Sequence, residues 1–411
     1  MKKNLLFITG EYFPTHSAVS NCVENVVLEL ENEFNVIVLC LTIDGETSTE
    51  TYNNHIVIRL KASFLKNENI FMKVVRNFKR LFSRFSLENK IIKIFYNEFV
   101  NNESLQNIDV IIPAAMPYET IVAALRYKQI INDKCTVIPY IFDQFSENDN
   151  FNRIKIIKKI KYKYHLELEK EIAQSSNYLM MMNSIYDHYV KYFGSYLEKY
   201  ISLEHPLLLK NINNFDNIEF FNDRKIQVSY VGGLYKNYVV PTYLLKVFEK
   251  VVQMNNEVCM NFFVFGNGAK EIDIYSRRYP ENIINHGKKN KDEVEGIRRN
   301  SNILISISEN KGIQMSSKIF EYMSAGKPII HFYKVEKDIN LKILKKYPNC
   351  LLVREDEKLL EDNKVAINDF VTRNSNMVLE FEQVSHIFKE ALPSSTAEVI
   401  KQIIIDTKKV E

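Results

Sequence analysis

The chain has 411 residues, 46% of them apolar and 26% charged, with a formal net charge of +3. That length exceeds one hydrophobic core, so two domains of roughly 200 residues are expected. The composition excludes a disordered chain, and the small net charge gives no footing for a nucleic-acid binder.

The first element, "LLFITG" at 5–10, is a short apolar run closed by glycine. The start "MKKNLLFITGEYFP" is too short in its apolar part for a signal sequence and reads as a first strand. "SAVSNCVENVVLELEN" follows with helical spacing, then "NVIVLCLT" (35–42) as a buried strand. "DVIIP" (109–113), "CTVIPYIFD" (135–143) and "NYLMMMN" (177–183) continue the series, each before a helical stretch. Apolar strands separated by helices imply a parallel sheet covered on both faces. The asparagine-rich segment at 205–225 breaks the pattern. The alternation resumes with "IQVSYVGGL" (226–234), "MNFFVFGNGA" (260–269), "NIINHG" (282–287), "NILISIS" (302–308) and "KPIIHFY" (327–333). "STAEVIKQIIIDTKKV" (395–410) reads as a late capped helix.

The expected fold is therefore α/β, with two doubly wound Rossmann-like domains facing a cleft. The boundaries are 1–207 for the first domain, 208–225 for a linker and 226–392 for the second domain. A helix at 393–411 is expected to pack back on the first domain. Five scattered cysteines and eight histidines form no CxxC, HExxH or HxH arrangement, so neither a disulfide framework nor a metal site is expected. No run of 18 apolar residues occurs, so no membrane span is expected.

Two glycine turns follow strands, "YVGGLYKN" (230–237) and "FVFGNGAK" (263–270). Glycine there lets backbone approach a ligand, although a tight structural turn explains each equally well and the full GxGxxG pattern is absent. In "SSKIFEYMSAGKPII" (316–330), Ser316 or Ser317 is placed to cap a helix, with Lys318 and Glu321 three apart. A helix start with a lysine suits a diphosphate, and a carboxylate one turn on suits a vicinal diol. An ordinary surface ion pair between Lys318 and Glu321 is the alternative.

The order "SYVGGLYKN", "FFVFGNGA", "IINHGKKNKDEVEGIRRNSNILISIS", "QMSSKIFEYMSAGKPII" resembles the carboxyl-terminal domain of GT-B glycosyltransferases. More narrowly, it looks like the group 1, family 4-like bacterial sugar transferases of capsule, O-antigen and related glycan assembly. The resemblance covers 226–335 well, and "FITGEYFPTHSAVSNCVENVVLEL" is more loosely similar to that group's first loop and helix. It implies that Glu321 binds the ribose hydroxyls, that Gly232, Gly233 and Lys236 face the phosphates, and that Gly266 and Gly268 line the nucleotide cleft. His286, Gly287 and Lys288 match the segment that meets the base, and Ser316, Ser317 and Lys318 the phosphate-side helix start. In the first half, Gly10, Tyr12, His16 and Ser17 match a donor and acceptor loop. Asp143 takes the place of a His-Asp pair, so Asp143 and Lys318 are the candidate catalytic residues.

There are departures. Ile313, eight positions before Glu321, stands where many relatives carry a first glutamate, and Glu309 is out of register. The loop arginine is replaced by Gly233 or Val239, the usual first-loop Gly-Gly by the Ser17–Asn21 stretch, and a histidine by Phe142.

Between Lys61 and Tyr96 nine Lys/Arg stand against two Glu, with apolar residues on the opposite helical face. Lys73, Arg76, Arg80 and Arg84 are candidate contacts to anionic lipid, or else a solvated face over a packed helix. The expectation is a cytoplasmic, metal-independent and retaining hexosyltransferase, peripheral at the inner face of the plasma membrane. It would need no cofactor and take a UDP-sugar as donor and a glycan or lipid-linked acceptor as partner, with no nucleic acid. A non-catalytic subunit or co-chaperone of the same fold, or a nucleotide-sugar epimerase, is the alternative.

Overall fold

The computed structural model describes residues 2–15, 17–65, 78, 83–147, 155–210, 220–221, 225–236 and 238–410. The chain divides into two compact units, Met1–Leu207 with Glu390–Glu411, and Leu208–Lys389. Most of the expected linker lies outside the described residues.

The first unit is built on strands β1 (Asn4–Ile8), β2 (Asn35–Thr42), β3 (Ser48–Tyr52), β4 (His55–Lys61), β5 (Val110–Pro113) and β6 (Thr136–Val137). They lie in the order β3-β4-β2-β1-β5-β6, all parallel except β3, which pairs antiparallel with β4. The apolar strands β1, β2 and β5 are buried because helices cover the sheet: α1 (Ala18–Leu30), α2 (Asn89–Asn101) and α3 (Glu119–Ile130). The β3–β4 hairpin is not anticipated by the sequence pattern, since "STETY" has no apolar run; Asn53, at φ 49°, makes its turn.

The stretch "CTVIPYIFD", read as one strand, divides at Pro139. β6 pairs with β5, whereas β7 (Tyr140–Ile141) joins a second parallel sheet with β8 (Leu179–Met182) and β9 (Tyr200–Leu203). Proline has no N–H to donate to a ladder, so the strand changes partner there. Helices α4 (Lys155–Ser175) and α5 (Tyr186–Phe193) flank this second sheet.

The second unit holds β10 (Ile226–Gly233), β11 (Val258–Phe265), β12 (Ile283–Asn285), β13 (Ile303–Ile307), β14 (Ile329–Tyr333) and β15 (Cys350–Arg354). Their order is β12-β11-β10-β13-β14-β15, entirely parallel. Its helices are α6 (Thr242–Met254), α7 (Ile272–Arg278), α8 (Lys291–Asn300), α9 (Lys318–Ser324), α10 (Asn340–Leu344), α11 (Leu360–Asn374) and α12 (Phe381–Ile387). The stripe Leu244, Val247, Phe248 and Val251 of α6 is fully buried at helical spacing. Truncating Phe248 to alanine would cost about 3–5 kcal/mol.

The last helix, α13 (Pro393–Val410), belongs to the first unit and packs against α1, with Lys401 paired to Glu33. In each unit the strand order reverses at the first strand of its sheet, β1 and β10. Ligands of open α/β sheets bind beyond the carboxyl ends of strands at such a point. That rule directs attention to the loops after β1, β5, β10 and β13.

Candidate functional site

In the second unit β10 ends at Gly232–Gly233, and the residue that meets it is Lys318. A Cβ added at Gly232 would fall onto the Lys318 ammonium, so the missing side chain is what admits that group. Gly232 also has φ 137°, a conformation closed to other residues without strain. The Lys318 ammonium lies 3.4 Å from the Tyr230 hydroxyl and 4.9 Å from the centre of its ring. Its pKa is lowered, chiefly because the ammonium is desolvated; Tyr322 and Glu321 oppose this and Arg298 adds to it.

Helix α9 buries Ile319, Phe320, Tyr322 and Met323 and turns Lys318, Glu321 and Ser324 to its accessible side. Ser317 has helical backbone angles and makes no side-chain cap bond, and the Ser316 N–H donates to Asn340 Oδ1 at 2.8 Å. The expected capping serine is thus absent. With only seven residues in α9, Lys318 itself is the positive feature. Nor do Lys318 and Glu321 pair. Glu321 Oε2 accepts instead from Nη2 of Arg298, a residue of α8 that sequence reasoning passed over. Burial works against the Arg298 charge, but Glu321, Tyr322 and Glu295 raise its pKa. Glu321 keeps 20% of its side-chain surface exposed, which leaves it reachable.

The two glycine turns pack on each other. A Cβ at Gly266 would strike the Leu234 carbonyl, and one at Gly268 would come within 3.0 Å of the same peptide. Leu234 N–H donates to Phe265 O at 2.9 Å, Gly268 N–H to Leu234 O at 3.0 Å, and Lys236 N–H to Asn267 Oδ1 at 3.0 Å. Gly266 and Gly268 therefore have a structural reason to be glycine. A Cβ at Gly233 would approach the Tyr235 ring to 2.6 Å, and the Lys236 side chain is exposed.

His286 stacks on Phe263 at 4.5 Å and bonds Asn261 Oδ1 at 2.8 Å, so its ring faces the sheet. Burial, aided by Lys289, pushes its pKa down to about 4. Gly287 turns at φ 68°, and Lys288 is exposed with its ammonium 5.8 Å from the Phe265 ring.

Glu309, out of register in the sequence, is buried and spends its carboxylate on its own loop. It accepts from the N–H groups of Lys311 (2.7 Å), Ile313 (2.6 Å) and Gln314 (3.4 Å). From the other side Asn340 ties down Ser316 and the Gln314 carbonyl, and joins Ser308 and Asp338. These anchors hold the strand-to-helix loop before Lys318; no local spacing signalled them.

In the first unit the candidate loop residues separate. A Cβ at Gly10 would lie 2.5 Å from Pro117 Cδ, so the loops after β1 and β5 meet there. Tyr12 corrects the expectation of a ligand-facing side chain: it is 1% exposed, and its hydroxyl bonds His55 Nε2 at 3.0 Å. His55 Nδ1 in turn contacts Glu31 Oε2 at 2.7 Å. Ser17 caps α1 in a reciprocal box with Ser20, and His16 lies outside the described residues.

Asp143 is half-buried, and its carbonyl accepts from the Tyr118 hydroxyl at 2.7 Å. Its loop is held by Glu169, which accepts from Phe145 N–H at 2.8 Å. Glu169 and Glu147 flank His188 at 3.2 and 3.8 Å. Burial opposes the charge of His188, but these carboxylates outweigh it and push its pKa up to about 9. Of the basic candidates, Lys73, Arg76 and Arg80 lie outside the described residues. Arg84 is not a free cation; it pairs with Glu167 at 3.1 Å and Glu171 at 3.8 Å. No helix among the described residues is long and apolar enough to cross a membrane.

Two units, each with a parallel sheet whose strand order reverses at its first strand, give a fold of the GT-B type. Residues 225–363, about a third of the chain and all within the second unit, match the family "Glycosyl transferases group 1". Sucrose-phosphate synthase from Thermosynechococcus elongatus is similar in structure, with TM-score 0.67, 13% identity, and 98% of this chain and 100% of that one covered. A UDP-forming α,α-trehalose-phosphate synthase from Burkholderia xenovorans gives 0.61 and 10% over 98% and 100%. WaaG, a glycosyltransferase involved in lipopolysaccharide biosynthesis, gives 0.61 and 10% over 96% and 99%. At such identities the likeness establishes the fold. No curated protein matches the chain by sequence.

Proposed function

We propose that the protein is a retaining glycosyltransferase that moves a hexose from a nucleoside-diphosphate sugar to a hydroxyl of a glycan or glycolipid acceptor in cell-surface polysaccharide synthesis. The observation that carries this reading is the pairing of Gly232 with Lys318, a cation seated at the carboxyl end of the central strand, with Glu321 one turn beyond it on the accessible side of α9. Lys318 would hold the diphosphate and take up negative charge as the sugar–phosphate bond breaks, a kind of stabilisation worth a few kcal/mol per donor. Glu321 would accept hydrogen bonds from the ribose hydroxyls. With a lysine in that role the reaction is written without a metal. A UDP-sugar is the proposed donor, supported by the UDP-forming enzyme among the similar structures. WaaG supports the cell-surface setting.

Asp143 is assigned to the acceptor side, where the half-buried loop clamped by Tyr118 and Glu169 would fix it. The proposed location is cytoplasmic and peripheral to the inner membrane face, through the basic stretch after Lys61. The test is incubation with a panel of nucleotide sugars, following thermal shift and release of free nucleotide. The reading expects a shift with one donor and acceptor-dependent release. Absence of both with every donor would sink it.

A further inference from the structure

Arg298 had no place in the expectations drawn from the sequence, yet it is the residue that engages Glu321. Its guanidinium is braced from two sides. Nη2 donates to Glu321 Oε2, and Nη1 lies 3.4 Å from Glu295 Oε2. Glu295 is itself held by Arg299 Nε at 3.3 Å. The planar fork of an arginine meets two carboxylates in fixed directions, which a lysine cannot do.

The competitor for Glu321 is Lys318, three residues earlier on the same side of α9, where ion pairs form readily. Lys318 instead reaches Tyr230 and Gly232. If Glu321 swung to Lys318, it would draw the ammonium off the Gly232 turn and occupy both groups at once. Arg298 prevents this. It takes one carboxylate oxygen, while Oε1 of Glu321 has no partner among the described residues.

We propose that Arg298 is a positioning residue that fixes the Glu321 carboxylate so that its remaining oxygen faces the ribose diol, making the α8–α9 ion pair a determinant of ribose over deoxyribose. It presupposes the ribose role given to Glu321 above. A purely structural ion pair would lower affinity for every nucleotide alike; a positioning role changes their ratio.

The experiment is calorimetric titration of the full chain with UDP and with 2′-deoxy-UDP, for wild type, Arg298→Gln, Arg298→Lys and Glu321→Ala. If UDP does not bind, the ADP, GDP and CDP pairs replace it. Wild type is expected to favour the ribonucleotide by about ten- to a hundredfold, the worth of a hydrogen bond to a charged group. Arg298→Gln and Glu321→Ala are expected to bring the ratio close to one, and Arg298→Lys to an intermediate value. A wild-type ratio retained in Arg298→Gln, even with both affinities reduced, overturns the role of Arg298. If that variant shows no melting transition, an unchanged ratio in Arg298→Lys overturns it instead. A wild type that binds no nucleoside diphosphate, or that does not discriminate, removes the ribose reading itself and the proposal with it.

Discussion

Substituting Gly232 by alanine tests the centre of the proposed site, because the consequence for fold and the consequence for ligand are separable. The new methyl group would sit where the Lys318 ammonium now lies, and the backbone there has φ 137°. Holding a non-glycine residue in such a conformation costs about 1–3 kcal/mol. For a unit of this size each kcal/mol lowers the melting temperature by about 2–4 °C. The clash is with the far end of a flexible side chain, so Lys318 can swing aside and the sheet survives. Loss of its contact to a diphosphate corresponds to about 1.5–3 kcal/mol, or roughly ten- to a hundredfold in affinity. Melting by circular dichroism and titration with UDP would read the two effects. A variant that melts lower but binds UDP as tightly as wild type would refute the assignment of Lys318.

Gly326, at φ 65°, would drive a Cβ into the Leu379 carbonyl, so Gly326→Ala should destabilise the second unit by a few kcal/mol in denaturant titration, more than the strain alone. His188 has a folded pKa of about 9, above its ordinary 6.5, so its stabilisation is complete below about pH 6.5 and is lost as pH rises through 9. The displacement corresponds to at most about 3 kcal/mol. His188→Gln should flatten that stretch of the stability–pH curve, and an unchanged curve would count against the clamp of Glu147 and Glu169. Glu309→Gln removes the charge that gathers three N–H groups and should loosen the 309–314 loop, read as faster amide exchange at Ile313 and Gln314. Vesicle flotation with anionic lipid should be sensitive to salt and to charge reversal at Arg76 and Arg80. Charge reversal at Arg84 should matter less, because Glu167 and Glu171 already neutralise it.

Strand positions were legible wherever burial on both faces forces a continuous apolar run, and "NVIVLCLT" coincides with β2 residue for residue. The same logic misread 135–143, because an apolar run says nothing about which neighbour a strand pairs with, and Pro139 changes the partner midway. Site residues were harder. Lys318 and Gly232 stand 86 positions apart, and no spacing rule joins them; the order of motifs in a similar family did. The partner of Glu321 lies 23 residues upstream on another helix, so local spacing offered Lys318 in its stead. Tyr12 was assigned to a ligand loop by the family resemblance, yet its hydroxyl is engaged by His55, which in turn contacts Glu31, both from distant parts of the chain. The capping role of Ser17 was legible: a serine immediately before an apolar-periodic run is a helix-start signal in its own right.

The return of α13 to the first unit has a consequence for how the protein is made. A chain emerging from the ribosome completes β1 to β9 early, but the apolar row Ala397, Ile400, Ile403 and Ile404 is added only after the whole second unit. The unit synthesised first is thus the last to be finished, and the whole second unit is translated before the cover over α1 arrives. During that interval the exposed face of α1 is a place for a chaperone to hold, or for two nascent chains to exchange helices. A protein shortened before Pro393 would remain in that unfinished state permanently, with its second unit intact.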